Sequence, residues 1–356
     1  MRILMLVNWK VKRCKTIPED MQPPDYRTEG EPYWFFRYFK EKAEVDVEDI
    51  RSIPLLEKFE KNFLRFYVLQ TIRILPRLKK YDLILSHGMQ SGILLCLLRT
   101  IFRIRHPKHI IFDIGGFNSA AESGRMLKLM QFAGRSIDGI IYHTGKQTEY
   151  YREYYPWLLD KSRFIRFGTD TGFFQNEDAM QNTAGTSYIL CVGYGKRDWD
   201  TLIKAYSRLS TDIRLRLIGN DRIKTASDRI ESLPGIPVRD LIKQIKDALF
   251  CVLPLKYMNY SFGQMTLLQQ MALKKAVITA RVPSMTDYVR ENTDALLYEP
   301  NNDRELAEKM EYLIHNREER ERIGNQACLS VTEVLNERRM AYEIENYIFE
   351  TGSFHG

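Results

Sequence analysis

No apolar run in this chain reaches the roughly 18 residues that a membrane span requires. The longest, Gly92–Leu98, stops at Arg99. Metal-binding and disulfide patterns are missing as well. Cys14, Cys96, Cys191, Cys251 and Cys328 are scattered, form no C-x-x-C pair and have no histidine at ligand spacing, so neither a zinc site nor a disulfide framework is expected. Cys96, Cys191 and Cys251 lie inside apolar runs and read as core. The opening Met1–Val7 runs directly into Asn8 without a small-residue cleavage site, so it reads as a buried strand rather than an export signal. A cytoplasmic protein with reduced thiols is the expectation.

Acidic residues are scarce in one stretch. Residues 61–108 contain ten Lys and Arg and a single acid, Asp82. Residues 1–170 carry 29 basic against 20 acidic side chains, a net +9, and the remainder 24 against 26, a net −2. Such asymmetry predicts an anionic partner for the first half. Within Lys61–Lys80, Arg65, Arg73, Arg77 and Lys80 fall on about half of a helical circumference, with Arg99, Arg103 and Arg105 following. These seven are candidate contacts to an anionic membrane surface; the alternative is a solvated helix face. The stretch has no nucleic-acid-binding motif, so nucleic acid is not expected as a partner.

With 44% apolar and 28% charged residues in 356, the chain is an ordinary globular one, long enough for two domains. Short apolar strands alternate with amphipathic stretches: strands at Arg2–Val7, Ala43–Val47, Leu83–Ser86, His109–Asp113, Gly139–His143 and Arg163–Arg166, helices at Pro32–Lys42, Lys61–Leu78, Gly92–Arg105, Arg125–Arg135 and Lys146–Tyr155. Alternation of this kind predicts a parallel sheet covered on both faces. It pauses at residues 176–187, polar and aperiodic, which read as a linker. It resumes with strands at Tyr188–Val192, Arg214–Ile218, Phe250–Leu255, Ala276–Thr279 and Ala295–Tyr298 and helices at Asp200–Leu209, Val238–Asp247, Thr266–Leu273 and Asp303–Asn316. The fold class is therefore α/β, with two tandem doubly wound, Rossmann-like domains facing a cleft: 1–175, then 188–335. Residues 336–356 are expected to form a helix that packs back toward the first domain. Ligands of such sheets bind beyond the carboxyl ends of the strands.

The densest signal is Leu253–Val277. A strand leads into Asn259-Tyr260-Ser261-Phe262-Gly263-Gln264 and a helix beginning near Thr266. Free backbone N–H groups at a helix start attract anions, although Thr266-x-x-Gln269 also fits a capping box. Gly193-Tyr194-Gly195-Lys196-Arg197 follows the first strand of the same half, where Arg197 or Lys196 could neutralise a diphosphate. The alternative for that turn is a solvated basic loop.

At this point the chain resembles a known family. The turn Phe167–Phe174 (FGTDTGFF), the segment Arg197–Ala205 (RDWDTLIKA), the stretch Gly263–Ile278 (GQMTLLQQMALKKAVI) and Asp287–Leu306 are similar to the GT-B glycosyltransferases of the large retaining family. The resemblance covers almost the whole chain. It implies a retaining transfer from a nucleotide-diphosphate sugar, uridine-based, to a hydroxyl of a glycan, lipid-linked or small-molecule acceptor, with no metal or other cofactor. Arg197, Lys196 and Asp113 become candidate catalytic residues. Gly193, Tyr260, Ser261, Phe262, Gly263, Gln264 and Thr266 become donor-binding candidates, with Gln269 at the ribose and Val238 and Arg239 at the nucleobase. His87, Gly115 and Gly116 are acceptor-side candidates. The family usually carries two glutamates eight residues apart, and this chain has Ser261 and Gln269 there. Gln269 can still bond a ribose diol through its amide. The substitutions also raise a competing possibility, a catalytically silent GT-B partner or chaperone of an active transferase. An epimerase on the same architecture would need more acid–base groups in the cleft than the chain offers.

Overall fold

The computed structural model describes residues 1–351 except 19, 116, 118–121, 176–187, 194, 220–222 and 224–226. Gly116 and the expected linker 176–187 fall outside the described residues.

In the first half, β1 (Arg2–Leu6), a small parallel pair β2 (Lys12–Cys14) and β3 (Tyr26–Thr28), and β4 (Glu44–Glu48) precede β5 (Leu83–His87), β6 (Lys108–Asp113), β7 (Gly139–Tyr142) and β8 (Ser162–Phe164). The main sheet has the order β4-β1-β5-β6-β7-β8, all parallel, with Ile3 opposite Val45 on one side and Leu83 on the other. Its central strands are buried along their length, the reason they read as unbroken apolar runs.

Helices α1 (Pro54–Phe59), α2 (Val68–Ile74), α3 (Met89–Ile101), α4 (Gly124–Gly134) and α5 (Gln147–Tyr154) connect these strands, and α6 (Thr171–Gln175) leaves the sheet. The strands β5 to β8 step in one direction across the sheet, so right-handed crossovers place α2 to α5 on one face. The opposite face is covered by the helical turn Trp34–Tyr38 and by Met340, Ile344, Tyr347 and Ile348 near the chain's end.

Two expected helices of this half are not continuous. Lys61–Leu78 is broken: a π-helical turn spans Glu60–Leu64, Arg65 takes a left-handed φ of 57°, and a 3₁₀ turn over Leu75–Lys80 holds Pro76. Pro76 lacks an N–H and prevents an α-helix from continuing, while the buried Glu60 carboxylate accepts the N–H of Leu69 and starts α2 afresh. Pro32–Lys42 contains only the turn Trp34–Tyr38, because Trp34, Phe35 and Phe36 are buried consecutively and no single helical face could bury all three.

The second half repeats the plan with β9 (Tyr188–Val192), β10 (Arg214–Ile218), β11 (Ile230–Leu233), β12 (Phe250–Leu253), β13 (Val277–Ala280) and β14 (Leu296–Tyr298), in the order β11-β10-β9-β12-β13-β14. Around it lie α7 (Trp199–Ser207), α8 (Val238–Asp247), α9 (Gln264–Ala272), α10 (Pro283–Thr286), α11 (Asp303–His315) and α12 (Arg317–Glu333). The last helix, α13 (Glu337–Thr351), returns to the first sheet, where the Tyr347 hydroxyl accepts the N–H of Ile140 at 3.0 Å. Gly168 passes so close to the start of α13 that a Cβ there would stand 2.3 Å from the Asn336 carbonyl oxygen.

Candidate active site in the cleft

The carboxyl ends of both sheets face one another. On the second side, β9 ends at Val192 and the chain turns through Gly193. A Cβ on Gly193 would lie 2.4 Å from Nε of Arg197, so only glycine lets that side chain fold back over the strand end. Arg197 then donates from Nε to the Val192 carbonyl at 3.0 Å and from Nη2 to Thr266 Oγ1 at 3.1 Å. It is 7% exposed, and burial lowers its pKa from the ordinary value. Among the described residues no carboxylate pairs with it. Its neighbour Asp198 is engaged elsewhere, capping α7 through the N–H and hydroxyl of Thr201. A buried cation without a counter-ion costs on the order of several kcal/mol, and this one lies beside the start of α9.

That start is built to be open. Gly263 takes φ +89°, a left-handed conformation in which a side chain would be strained and would meet Leu255 at 2.9 Å. No acidic residue stands in the first turn of α9. The ring of Phe262 lies under the Arg197 guanidinium at 5.4 Å, and Lys196 bonds the Tyr260 hydroxyl at 3.0 Å. Thus Gly193, Lys196, Arg197, Tyr260, Phe262, Gly263 and Thr266 come together at one rim, with Ser261 half-buried among them. Val238 and Arg239 begin α8, two strands away beyond β10 and β11.

Gln264 and Gln269, both expected on the donor side, have different surroundings. Gln264 is buried and donates to Thr144 Oγ1 at 3.1 Å, so it joins the two halves instead of facing the rim. Gln269 shares a helix face with Thr266 and donates to Oε1 of Gln22 at 3.2 Å. Gln22 thus reaches from the first half to this site, and nothing in the sequence around it signals that role. Asp287 and Tyr288 were legible only as part of the family pattern. In the structure they tie the seam, Asp287 accepting the N–H of Gly145 at 2.8 Å and Tyr288 donating to the His143 carbonyl at 2.8 Å.

On the first side the candidates separate. The Asp113 carboxylate is fully buried: Oδ1 accepts the N–H of Gly115 at 2.9 Å, and Oδ2 accepts from Gln147 and from the Tyr151 hydroxyl at 2.6 Å. Both oxygens are engaged within the protein. His87 ends β5 among Trp9, Trp34 and Phe112, with ring centroids at 4.7, 5.7 and 5.9 Å. Burial pushes its pKa down to about 3, and Nδ1 has no partner among the described residues. Gly115 (φ +107°) faces the Tyr260 ring directly, and a Cβ there would stand 2.5 Å from that ring.

The basic stretch divides as well. Arg99 is 2% exposed and paired with Asp138 at 2.9 Å, while Arg73 and Arg77 are both held by Glu48. These three are committed to the protein. Arg65, Lys80, Arg103 and Arg105 are exposed.

The architecture and the facing rims can be set beside known proteins. Sucrose-phosphate synthase from Thermosynechococcus elongatus superposes over 98% of this chain and 99% of its own with a TM-score of 0.68 at 14% identity. Anabaena HepE in complex with UDP does so over 98% and 100%, with a TM-score of 0.69 at 13% identity. The fold is GT-B. A glycosyltransferase from Rickettsia africae also superposes, over 88% of this chain and 91% of its own, with a TM-score of 0.65 at 14% identity. Residues 178–329 of this GT-B chain match the family described as Glycosyl transferases group 1, the part that contains the Arg197 rim. No curated protein sequence matches the chain.

Proposed function

We propose that the protein is a retaining glycosyltransferase that takes a nucleotide-diphosphate sugar, uridine-based, and passes the sugar to a hydroxyl of a glycan or lipid-linked acceptor. One observation carries this reading: Arg197 is buried with no carboxylate partner among the described residues, beside the open start of α9. A diphosphate would supply the missing counter-charge. Arg197, Lys196 and the N–H groups from Gly263 onward would stabilise charge as it builds on the departing phosphate. The departing diphosphate can accept the acceptor's proton, so the chemistry needs no strong protein base, and the occupied Asp113 is no obstacle. In the absence of a divalent cation, these cations would serve. The resemblance assigns Gln269 to the ribose, and HepE, with the same fold, is seen with UDP and with UDP-glucose.

A second reading, a catalytically silent partner or chaperone of an active transferase, is favoured by the Tyr260 ring lying against Gly115 and by Ser261 and Gln269 replacing carboxylates. A screen of UDP-sugars for donor hydrolysis, followed by anomer analysis of any product, separates the two. Release of UDP from one donor with retained configuration is expected. UDP binding without turnover of any donor, with or without candidate acceptors, would favour the silent reading; failure to bind UDP at all would remove the proposal.

A further inference from the structure

The helical layer over the α2–α5 face of the first sheet presents a large amount of apolar surface to solvent. Ile53 and Leu55, at the start of α1, are 67% and 81% exposed, and Phe63 in the following π turn is 76% exposed, its ring stacked on Phe59 at 5.5 Å. Ile72 on α2 and Ile101 and Phe102 at the end of α3 are more than half exposed. Met126, Leu129 and Phe132 stand out from α4. The segments are neighbours: the Tyr67 N–H donates to the Gln90 carbonyl at 3.3 Å, joining α2 to α3, and the Thr100 hydroxyl to the Phe132 carbonyl at 3.3 Å, joining α3 to α4.

The charges interleaved with these side chains are mostly basic. Lys58, Arg65, Lys79 and Lys80 are exposed beside the first group, Arg103 and Arg105 beside the second, and Arg125, Lys128 and Arg135 along α4. The acids of residues 54–108 are all engaged: Glu57 pairs with Lys10, Glu60 is buried under the Leu69 N–H, and Asp82 accepts the N–H of Arg2. Glu122, just before α4, is exposed. Exposed apolar surface of this extent marks an interaction site. Large apolar side chains ringed by cations that have no carboxylate partner among the described residues fit a bilayer with anionic headgroups, where the former enter the interface and the latter meet phosphate.

We propose that this face rests on an anionic lipid bilayer. The contact residues are then Leu55, Phe63, Phe102 and their neighbours with the exposed lysines and arginines, and Arg73, Arg77 and Arg99 have no part in it. The proposal stands on surface chemistry alone and does not depend on the sugar-transfer reading.

Co-sedimentation with vesicles of phosphatidylcholine alone, and of phosphatidylcholine with phosphatidylglycerol, tests it. The wild-type chain is expected to sediment with the anionic vesicles and to be released by high salt. Leu55→Glu/Phe63→Glu, Phe102→Glu and Lys79→Glu/Lys80→Glu are each expected to lower the bound fraction at least about tenfold, with UDP affinity unchanged by calorimetry. A wild-type chain that ignores anionic vesicles, or variants that sediment as it does, would overturn the proposal. So would a wild-type dimer, indifferent to vesicles, that Phe63→Glu splits into monomers; the face would then belong to a second copy. Vesicle binding without any UDP binding would strike the transferase reading and leave this one intact.

Discussion

Arg197 concentrates the functional argument into one side chain. It is held in place by a carbonyl and a hydroxyl, Val192 and Thr266, with no carboxylate among the described residues. Arg197→Met keeps most of the aliphatic stem and removes the buried charge. We expect calorimetry to show UDP and inorganic pyrophosphate binding both lost, with turnover down by roughly 10²–10³-fold, while the denaturation midpoint stays the same or rises. In the same series Gln22→Ala should weaken UDP and leave pyrophosphate untouched, because Gln22 meets Gln269 and not the Arg197 rim. Equal losses for both ligands in Gln22→Ala would remove Gln22 from the nucleoside side. Arg197 and Lys196 were legible as cations placed just after a strand. The internal partners of Asp113 and Gln264, Tyr151 with Gln147 and Thr144, were not legible, because they sit on other elements that sequence spacing does not bring near.

Among the elements, the strands buried on both faces were legible as apolar runs, and β1, β9 and β10 fall close to the expected bounds. The edge strand β11 was missed because Ile230–Leu233 is only half-buried along its length and carries no clear apolar pattern. The break in Lys61–Leu78 depends on Glu60 reaching Leu69, a contact that helical periodicity cannot report. The tightest joint between elements is at Gly168. There Thr169 pairs with Asn336 in a parallel bridge, accepts the N–H of Glu337 at 3.0 Å and donates to the Leu335 carbonyl at 3.1 Å. An added methyl at Gly168 would meet backbone, which cannot move aside as a side chain can. Gly168→Ala should therefore destabilise the fold by about 1–3 kcal/mol, read as a lower denaturant midpoint. An unchanged midpoint would show that the joint yields.

For the whole molecule, three buried histidines set the response to acid. Burial pushes His87 down to about 3, His143 to about 4 and His109 well below its ordinary 6.5. Each stays neutral when folded and gains a proton when unfolded below pH 6.5, so its contribution is complete above that value and is lost as pH falls. Glu337 opposes them. Burial raises it to about 7 despite the adjoining Arg37, so its contribution is present below its ordinary 4.5 and lost as pH rises toward 7. Near pH 5.5 the three histidines outweigh Glu337, while Asp25 and Asp287, which burial also raises from their ordinary 3.8, act in the same sense as Glu337. The unfolding free energy should fall by up to about 2–3 kcal/mol per pH unit near pH 5.5; denaturant melts that are flat or rise on acidification would contradict this. The return of α13 has a consequence during synthesis. The sheet translated first lacks the covering of Met340, Ile344 and Ile348 until α13 itself has left the ribosome. Its sticky underside must therefore be shielded, by chaperones or by transient collapse, while the whole second half is being translated.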